Sequence, residues 1–210
     1  PVAPLSRSHP SSLSLPAMTD TVSRRLLVLY GSQEGCAESV AQRVASDASV
    51  RHGWDVHLAP ANKYKKYLTA AATARLPGGL SGGARHQFVV VVCSTTGNGD
   101  PPDNCDRFWR YLKRRTHPGD LLRHVDFAVL GLGDSNYDKF CYMGKGIDKR
   151  MSALGACRMH ALGCADDAVG LGIVIEPWIS SFFAALDVAY KRALENEAQV
   201  RSASLEAAAG

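Results

Sequence analysis

Four consecutive valines, Val89 to Val92, lie inside the apolar run QFVVVVCS (87–94), which opens directly into TTGNGDPPDN (95–104). A run that is apolar at every position does not suit a strand with one wet face. It suits a strand covered on both sides, as in the middle of a parallel sheet. VDFAVLGLG (125–133) repeats the pattern. RRLLVLYGS (24–32), WDVHLA (54–59) and CRMHALG (157–163) read as three more strands. Between them lie helical stretches. CAESVAQRVASDASVRHG (36–53) has Val40, Val44 and Ala48 at helical spacing and Gly53 as a stop. DNCDRFWRYLKRR (103–115) is acidic at its start and basic at its end, which suits the helix dipole, and Asp103 or Asn104 is expected to cap it. GKGIDKRMSALGA (144–156) stops at Gly155, and EPWISSFFAALDVAYKRALENE (176–197) carries Pro177 early. Residues 60–76 read as a weaker helix or irregular segment, and LPGGLSGGAR (76–85) as a flexible loop.

Strands alternating with helices imply an α/β fold, a five-stranded parallel sheet with helices on both faces in three layers. In that architecture a ligand sits beyond the carboxyl ends of the strands. The unusual loops 31–37, 94–104, 132–142 and 163–168 each follow a strand, so they should gather at one rim.

Composition narrows the rest. A chain of 210 residues, 46% hydrophobic, suits one domain over residues 24–192. Residues 1–23, rich in Pro and Ser, read as a disordered leader or appended tail, and residues 193–210 as a linker or tail. The net charge of +4 does not mark a nucleic-acid binder, and no apolar run reaches the ~18 residues of a membrane span. Six cysteines without C-x-x-C or zinc-like spacing suggest free thiols in a reducing, cytoplasmic compartment. The histidines form no metal-ligand pattern, and no G-x-S-x-G turn offers a catalytic nucleophile. Trp54, Trp109 and Trp178 read as core. The basic stretches YKKY (64–67) and KRR (113–115) read as solvated faces or as docking surfaces for an acidic partner.

The loops carry the chemistry. YGSQEGCAES (30–39) passes through Gly31 and Gly35 into a helix, with Ser32, Gln33 and Cys36 as side-chain donors. A helix start can hold a phosphate, although an ordinary tight turn has the same outline; no Walker or G-x-G-x-x-G spacing is present. In TTGNGDPPDN, Gly97 and Gly99 lie two apart and Pro101 and Pro102 stiffen the exit, a frame suited to a peptide that must turn. GLGDSNYDKFC (131–141) adds Tyr137, either a lid or a stacking platform, and Phe140, which reads as packing. One phosphate-type turn and two glycine-bearing loops with an aromatic describe a slot for a flat phosphorylated ring, which flavin mononucleotide (FMN) fits.

YGSQEGCAE, STTGNGDPPDN, FAVLGLGDSNYDKFC, MGKGIDKRMSALGA and GCADD…EPW occur in order over about residues 25–190. Together they resemble the FMN-binding, flavodoxin-like domain of the diflavin reductases, a family that includes cytochrome P450 reductase, methionine synthase reductase and NADPH-dependent diflavin reductase. The resemblance implies sheet order 2-1-3-4-5. It implies an oxidoreductase in which single electrons pass from NADPH through FAD to FMN and on to an acceptor protein, either methionine synthase-like or an iron–sulfur assembly partner. FAD and NADPH would belong to a reductase module outside this chain. Ser32, Gln33, Glu34, Gly35, Cys36 and Ala37 would wrap the phosphate. Ser94, Thr95, Thr96 and Gly97 would line one side of the ring, with the Gly97 carbonyl near the flavin N5. Leu132, Gly133, Asp134, Ser135, Asn136, Tyr137, Phe140 and Cys141 would cover the other side, with Tyr137 stacked on the ring and Asp167 near the ribityl end. Glu34 stands where such turns often carry Thr, Cys36 replaces a frequent hydroxyl, and Thr96 replaces an aromatic. Glu34 and Cys36 keep open the alternative of a flavin-free interaction module, and a stand-alone flavodoxin carrier, which would lack a downstream FAD module, is the other alternative.

Overall fold

The computed structural model describes residues 22–68 and 86–209. The expected leader falls outside these residues except for Val22 and Ser23, and the loop of 76–85 and the second half of the 60–76 segment fall wholly outside them. The elements are β1 (Arg25–Gly31), α1 (Cys36–His52), β2 (Asp55–Pro60), a 3-10 turn (Ala61–Lys66), β3 (Gln87–Ser94), α2 (Asp106–Leu112), β4 (Val125–Gly133), α3 (Tyr142–Ala153), β5 (Cys157–Arg158), β6 (Gly163–Asp166) and α4 (Gly172–Ala209).

The strands pair in parallel in the order β2-β1-β3-β4-β5, as expected, with β6 also paired to β4. The valine run lies in the middle: Val90 pairs with Val28 on one side and Ala128 on the other. Alternate side chains feed two cores. Leu26, Val28, Val90, Val92 and Leu130 pack against Ala41 and Val44 of α1 and Phe182 and Leu186 of α4. Leu29, Val89, Val91 and Val129 pack against Tyr64, Phe108 of α2, and Met143, Ile147 and Met151 of α3. Each large apolar side chain buried this way stabilises the fold by about 1.5–3 kcal/mol.

Two elements differ from the sequence reading. The fifth strand is split: β5 pairs with Asp126 and Phe127 of β4, and β6 follows it along the same edge, pairing with Leu130–Gly133. Between them Trp178 donates its indole N–H to the Ala161 carbonyl (2.8 Å). At Gly163 an added Cβ would lie 2.6 Å from both Leu130 and Trp178, so the chain is pressed against the tryptophan and no side chain fits there. The last helix begins earlier and continues through residues 193–209, which the sequence suggested were a tail. Pro177 therefore lies inside this helix rather than in its first turn. Helix α4 is long and apolar enough to cross a membrane by composition, but Ile179, Phe182, Leu186 and Ala189 are buried against the sheet, as in a core helix.

The start of α2 is also capped differently. Its N-cap residue is Cys105, which makes no side-chain cap bond. Asn62, in the 3-10 turn, supplies the cap from a distance. Its Oδ1 accepts the N–H groups of Arg107 (2.8 Å) and Phe108 (3.2 Å), and its Nδ2 donates to the Asp103 carbonyl and to Asp106. Behind the sheet's carboxyl edge, α3 approaches β4 through Gly131 and Gly144; a Cβ on Gly144 would lie 2.7 Å from the Gly131 Cα. At the opposite edge the fully buried Asp126 lies 2.7 Å from both Arg192 of α4 and His86. Burial pushes its carboxyl pKa up, but the His86 hydrogen bond and charge and the Arg192 guanidinium outweigh this and hold it below the ordinary value.

Three outcomes follow from this packing. Gly144→Ala should cost about 1–3 kcal/mol by overpacking and lower the melting temperature, whereas Gly119→Ala, whose Cβ would meet nothing within 4 Å, should change stability by less than about 0.5 kcal/mol. Asn62→Ala should cost about 0.5–2 kcal/mol in urea titrations, the loss expected of a removed helix cap. A carboxylate with a depressed folded-state pKa stabilises the fold above its unfolded value of about 3.9, and that contribution is lost as pH falls through the folded value. The stability gap between the wild type and Asp126→Asn should therefore narrow as pH drops below about 4; a gap constant with pH would show that the pair does not act this way.

Candidate functional site

The loops after β1, β3, β4 and β6 meet at the carboxyl edge of the sheet and enclose one cleft of about 470 Å³. The β1 loop contributes Ser32, Gln33, Glu34 and Cys36, and the β3 loop Ser94, Thr95, Thr96 and Gly97. Leu132, Gly133, Asp134, Tyr137 and Lys139 come from the end of β4 and its loop, and Asp167 and Leu171 from the loop after β6. The volume falls within the roughly 300–1,000 Å³ range usual for small-ligand sites.

The β1 turn is built for an anion and is held from outside. The Ser32 N–H donates to Asn104 Oδ1 (2.9 Å), and Gln33 exchanges hydrogen bonds with Asp103. Gly35, at φ 92°, is the N-cap residue of α1, and its N–H donates to Ser32 Oγ (3.0 Å). The first bond of the helix runs from the Ser39 N–H to the Gly35 carbonyl, so the amides of Cys36, Ala37 and Glu38 precede the helical ladder. They face the cleft end of the helix with the positive end of its dipole. Glu38, the one acid in that first turn, accepts a hydrogen bond from the Tyr30 hydroxyl (2.9 Å). Cys36 is exposed, and burial first and then the nearby Asp167 carboxylate push its thiol pKa up, which favours the neutral thiol.

The β3 loop is a small closed frame. Thr96 and Asp100 form an isolated antiparallel bridge with backbone bonds of 3.0 and 2.8 Å, reinforced by the Thr96 hydroxyl on the Asp100 carbonyl (2.9 Å). Gly97 and Gly99 lie inside it at φ 49° and 93°, a region that disfavours other residues. The expected stiff frame is present, and the Thr96–Asp100 bridge supplies it along with the two prolines. The third wall is joined to the fourth by Asp166, whose Oδ1 accepts the N–H groups of Ser135 (2.9 Å) and Ala168 (3.0 Å), and by the Asp167 N–H on the Gly133 carbonyl (2.8 Å). Tyr137 is 66% exposed, an aromatic face at the cleft mouth without a covering side chain.

Of the residues expected from the sequence, Gly35, Ala37, Ser135, Asn136, Phe140 and Cys141 do not line the cleft. Gly35 and Ala37 shape the turn, and Ala37 is buried in the core. Ser135 and Asn136 are exposed, each with its N–H bonded to an aspartate. Phe140 lies under the Lys145 ammonium (4.9 Å). Cys141 is buried at the start of α3, in a left-handed conformation (φ 51°), with its thiol toward the Ala165 carbonyl. Lys139 and Leu171 line the cleft and were not anticipated. Among the described residues, Lys139 is the only lysine or arginine on its wall, and it lies over the Tyr142 ring (5.2 Å). A lone cation in YDKF and a leucine in a glycine-rich loop give no periodic signal.

The donor set fits a phosphate at the amino end of α1 and a flat ring between the Ser94–Gly97 and Leu132–Tyr137 walls. Glu34 is exposed, so its carboxylate can face water rather than the anion.

A sequence profile described as Flavodoxin matches residues 28–178. The chain is 43% identical over 164 residues to methionine synthase reductase of Bos taurus, covering 78% of this chain and 22% of that protein. It is 42% identical over 160 residues to NADPH-dependent diflavin oxidoreductase 1 of Danio rerio, covering 75% of this chain and 24% of that protein. It thus spans about a quarter or less of the curated relatives it matches. Among solved structures, a mutant of flavodoxin from Pseudomonas aeruginosa superposes with a TM-score of 0.57 at 27% identity, over 78% of this chain and 99% of that one. Fold, cleft and sequence agree, and the chain belongs to the flavodoxin family.

Proposed function

We propose that this chain is the FMN-binding electron-transfer domain of an NADPH-dependent diflavin oxidoreductase. It would receive electrons from an FAD- and NADPH-binding module and deliver them singly to an acceptor redox protein of the methionine synthase or iron–sulfur assembly type. The observation that carries the reading is the convergence of four loops on one cleft, with uncapped amides of a helix start at one side and a glycine-bearing peptide and an exposed tyrosine at the other. Similarity to two kinds of diflavin reductase supports the assignment to an oxidoreductase. The six free cysteines suit a reducing compartment such as the cytoplasm.

When bound, FMN supplies the redox chemistry; the protein binds, orients and tunes it. The amides of Cys36 and Ala37 and the hydroxyl of Ser32 would hold the phosphate. Leu132 and Tyr137 would cover one face of the ring, and the Ser94–Gly97 segment the other. Gly97 is the residue whose peptide can turn, because a glycine at positive φ rotates with little steric cost while the Thr96–Asp100 bridge holds both flanks. That peptide can present its carbonyl or its N–H to whatever lies in the cleft.

The test is spectroscopic. The purified chain should take up FMN and turn yellow, and it should bind riboflavin, which lacks the phosphate, more weakly. Tyr137→Ala should weaken FMN binding by about 5- to 100-fold, the loss expected when one stacking partner of about 1–3 kcal/mol is removed. Gly97→Val should retain FMN and narrow the gap between its two one-electron potentials. A folded chain that stays colourless in excess FMN would overturn the assignment in favour of a flavin-free module.

A further inference from the structure

The two basic stretches separate in sequence, Lys63–Lys66 and Arg107–Arg115, lie side by side in the fold. The 3-10 turn packs on α2: Asn62 caps the helix, and Tyr64 meets Phe108 and Tyr111 (ring centroids 5.5 and 4.6 Å). Arg107 lies in the first turn of α2, and Arg114 lies in the turn just beyond its end, where its N–H bonds the Tyr111 carbonyl (3.2 Å).

What sets this face apart is how its cations are partnered. Among the described arginine side chains, those outside 107–115 are held by a carboxylate or a carbonyl. Arg24 pairs with Asp187, Arg25 with Asp55, Arg43 with Glu176, Arg51 with Asp47, Arg123 with Asp120, Arg158 with Asp148 and Arg192 with Asp126, while Arg150 donates to the Leu112 carbonyl. Within 107–115, Arg110 pairs with Asp106. Arg107, Arg114 and Arg115 are exposed and, among the described residues, have no carboxylate within 4.0 Å. Three cations of the face lie over aromatic rings: Lys66 over Tyr67 (5.5 Å), Lys113 over Trp109 (4.9 Å) and Arg114 over Tyr111 (5.8 Å). Such contacts restrain long side chains before a partner arrives, so less entropy is lost on binding. Free guanidinium groups on a restrained platform match carboxylates, which they can grip with two hydrogen bonds each.

We infer that the face formed by the 3-10 turn and α2 docks an acidic protein surface. A membrane fits it less well. The exposed large apolar residues, Val50, Tyr137, Tyr142, Val169, Ile173, Val188, Val200 and Leu205, all lie elsewhere, and a lipid surface is usually held by basic and apolar groups together. Single-stranded nucleic acid fits it less well too, because Tyr67, Trp109 and Tyr111 are half-buried beneath cations and offer no open stacking platform. The face flanks the cleft, since Asp103 and Asn104 at the entrance to α2 also hold the β1 turn. The inference does not depend on what the cleft binds.

The experiment uses the whole chain and a glutamate-rich peptide as the acidic probe, followed by anisotropy and by amide chemical shifts. The peptide should bind at low salt, weaken by about tenfold or more on raising salt to about 0.3 M, and shift amides of 61–66 and 106–115. The triple variant Arg107→Gln, Arg114→Gln, Arg115→Gln should lose binding by at least about tenfold, because it removes three charge-assisted contacts while thermal melting stays that of the parent. Arg24→Gln with Arg51→Gln removes the same kind of charge from paired sites and should leave binding within about threefold of the parent. Absence of binding by the folded chain at low salt would overturn the inference. So would equal binding by the triple variant, or tighter binding to phosphatidylserine vesicles or to a single-stranded oligonucleotide than to the peptide.

Discussion

A sheet of parallel strands covered on both faces has nowhere to place polar side chains except at its two ends. That constraint organises the molecule. The β3 and β4 strands are buried almost from end to end, so most of their residues are spent on packing and the groups able to meet a ligand are displaced to the strand ends and loops. Because the strands run the same way, the loops that leave them open at one edge. The cleft is therefore a consequence of how the core closes, and its walls rest on strands that pack as tightly as any part of the interior.

The loops are stabilised chiefly by one another. The β1 turn draws its ordering bonds from Asp103 and Asn104, about seventy residues away; that segment in turn is tied to Asn62. Across the cleft, Asp166 joins the β4 loop to the β6 loop. Two braced pairs of loops thus face each other. Between them lies a short glycine-bearing segment closed by a backbone bridge.

Much of this was legible in the residues. The uninterrupted apolar runs predicted β3 and β4, the loop positions predicted the rim, and the glycine spacing marked Gly97. What escaped was information carried by distant partners. Nothing around Asn62 in PANKYKK signals that it caps a helix that begins some forty residues later. The split of the fifth strand depends on the Trp178 indole reaching the Ala161 carbonyl, a contact no local pattern encodes. Phe140 and Cys141 share the sequence neighbourhood of the cleft, but the chain turns into α3 there and carries them behind its wall. Boundaries of α4 were missed for a different reason: its final turns are polar and alanine-rich, a composition equally at home in a helix or a tail.

The Asp126 ion cluster and the cleft occupy opposite poles of the same strand. From Asp126 to Gly133, β4 advances about 23 Å at ~3.3 Å per residue. Acid that discharges the cluster acts on the anchorage of the last helix, at the end of the strand away from the cleft. The groups that tie down the last helix and the groups that line the cleft thus sit at separate ends, and each set can change in evolution while the other stays as it is.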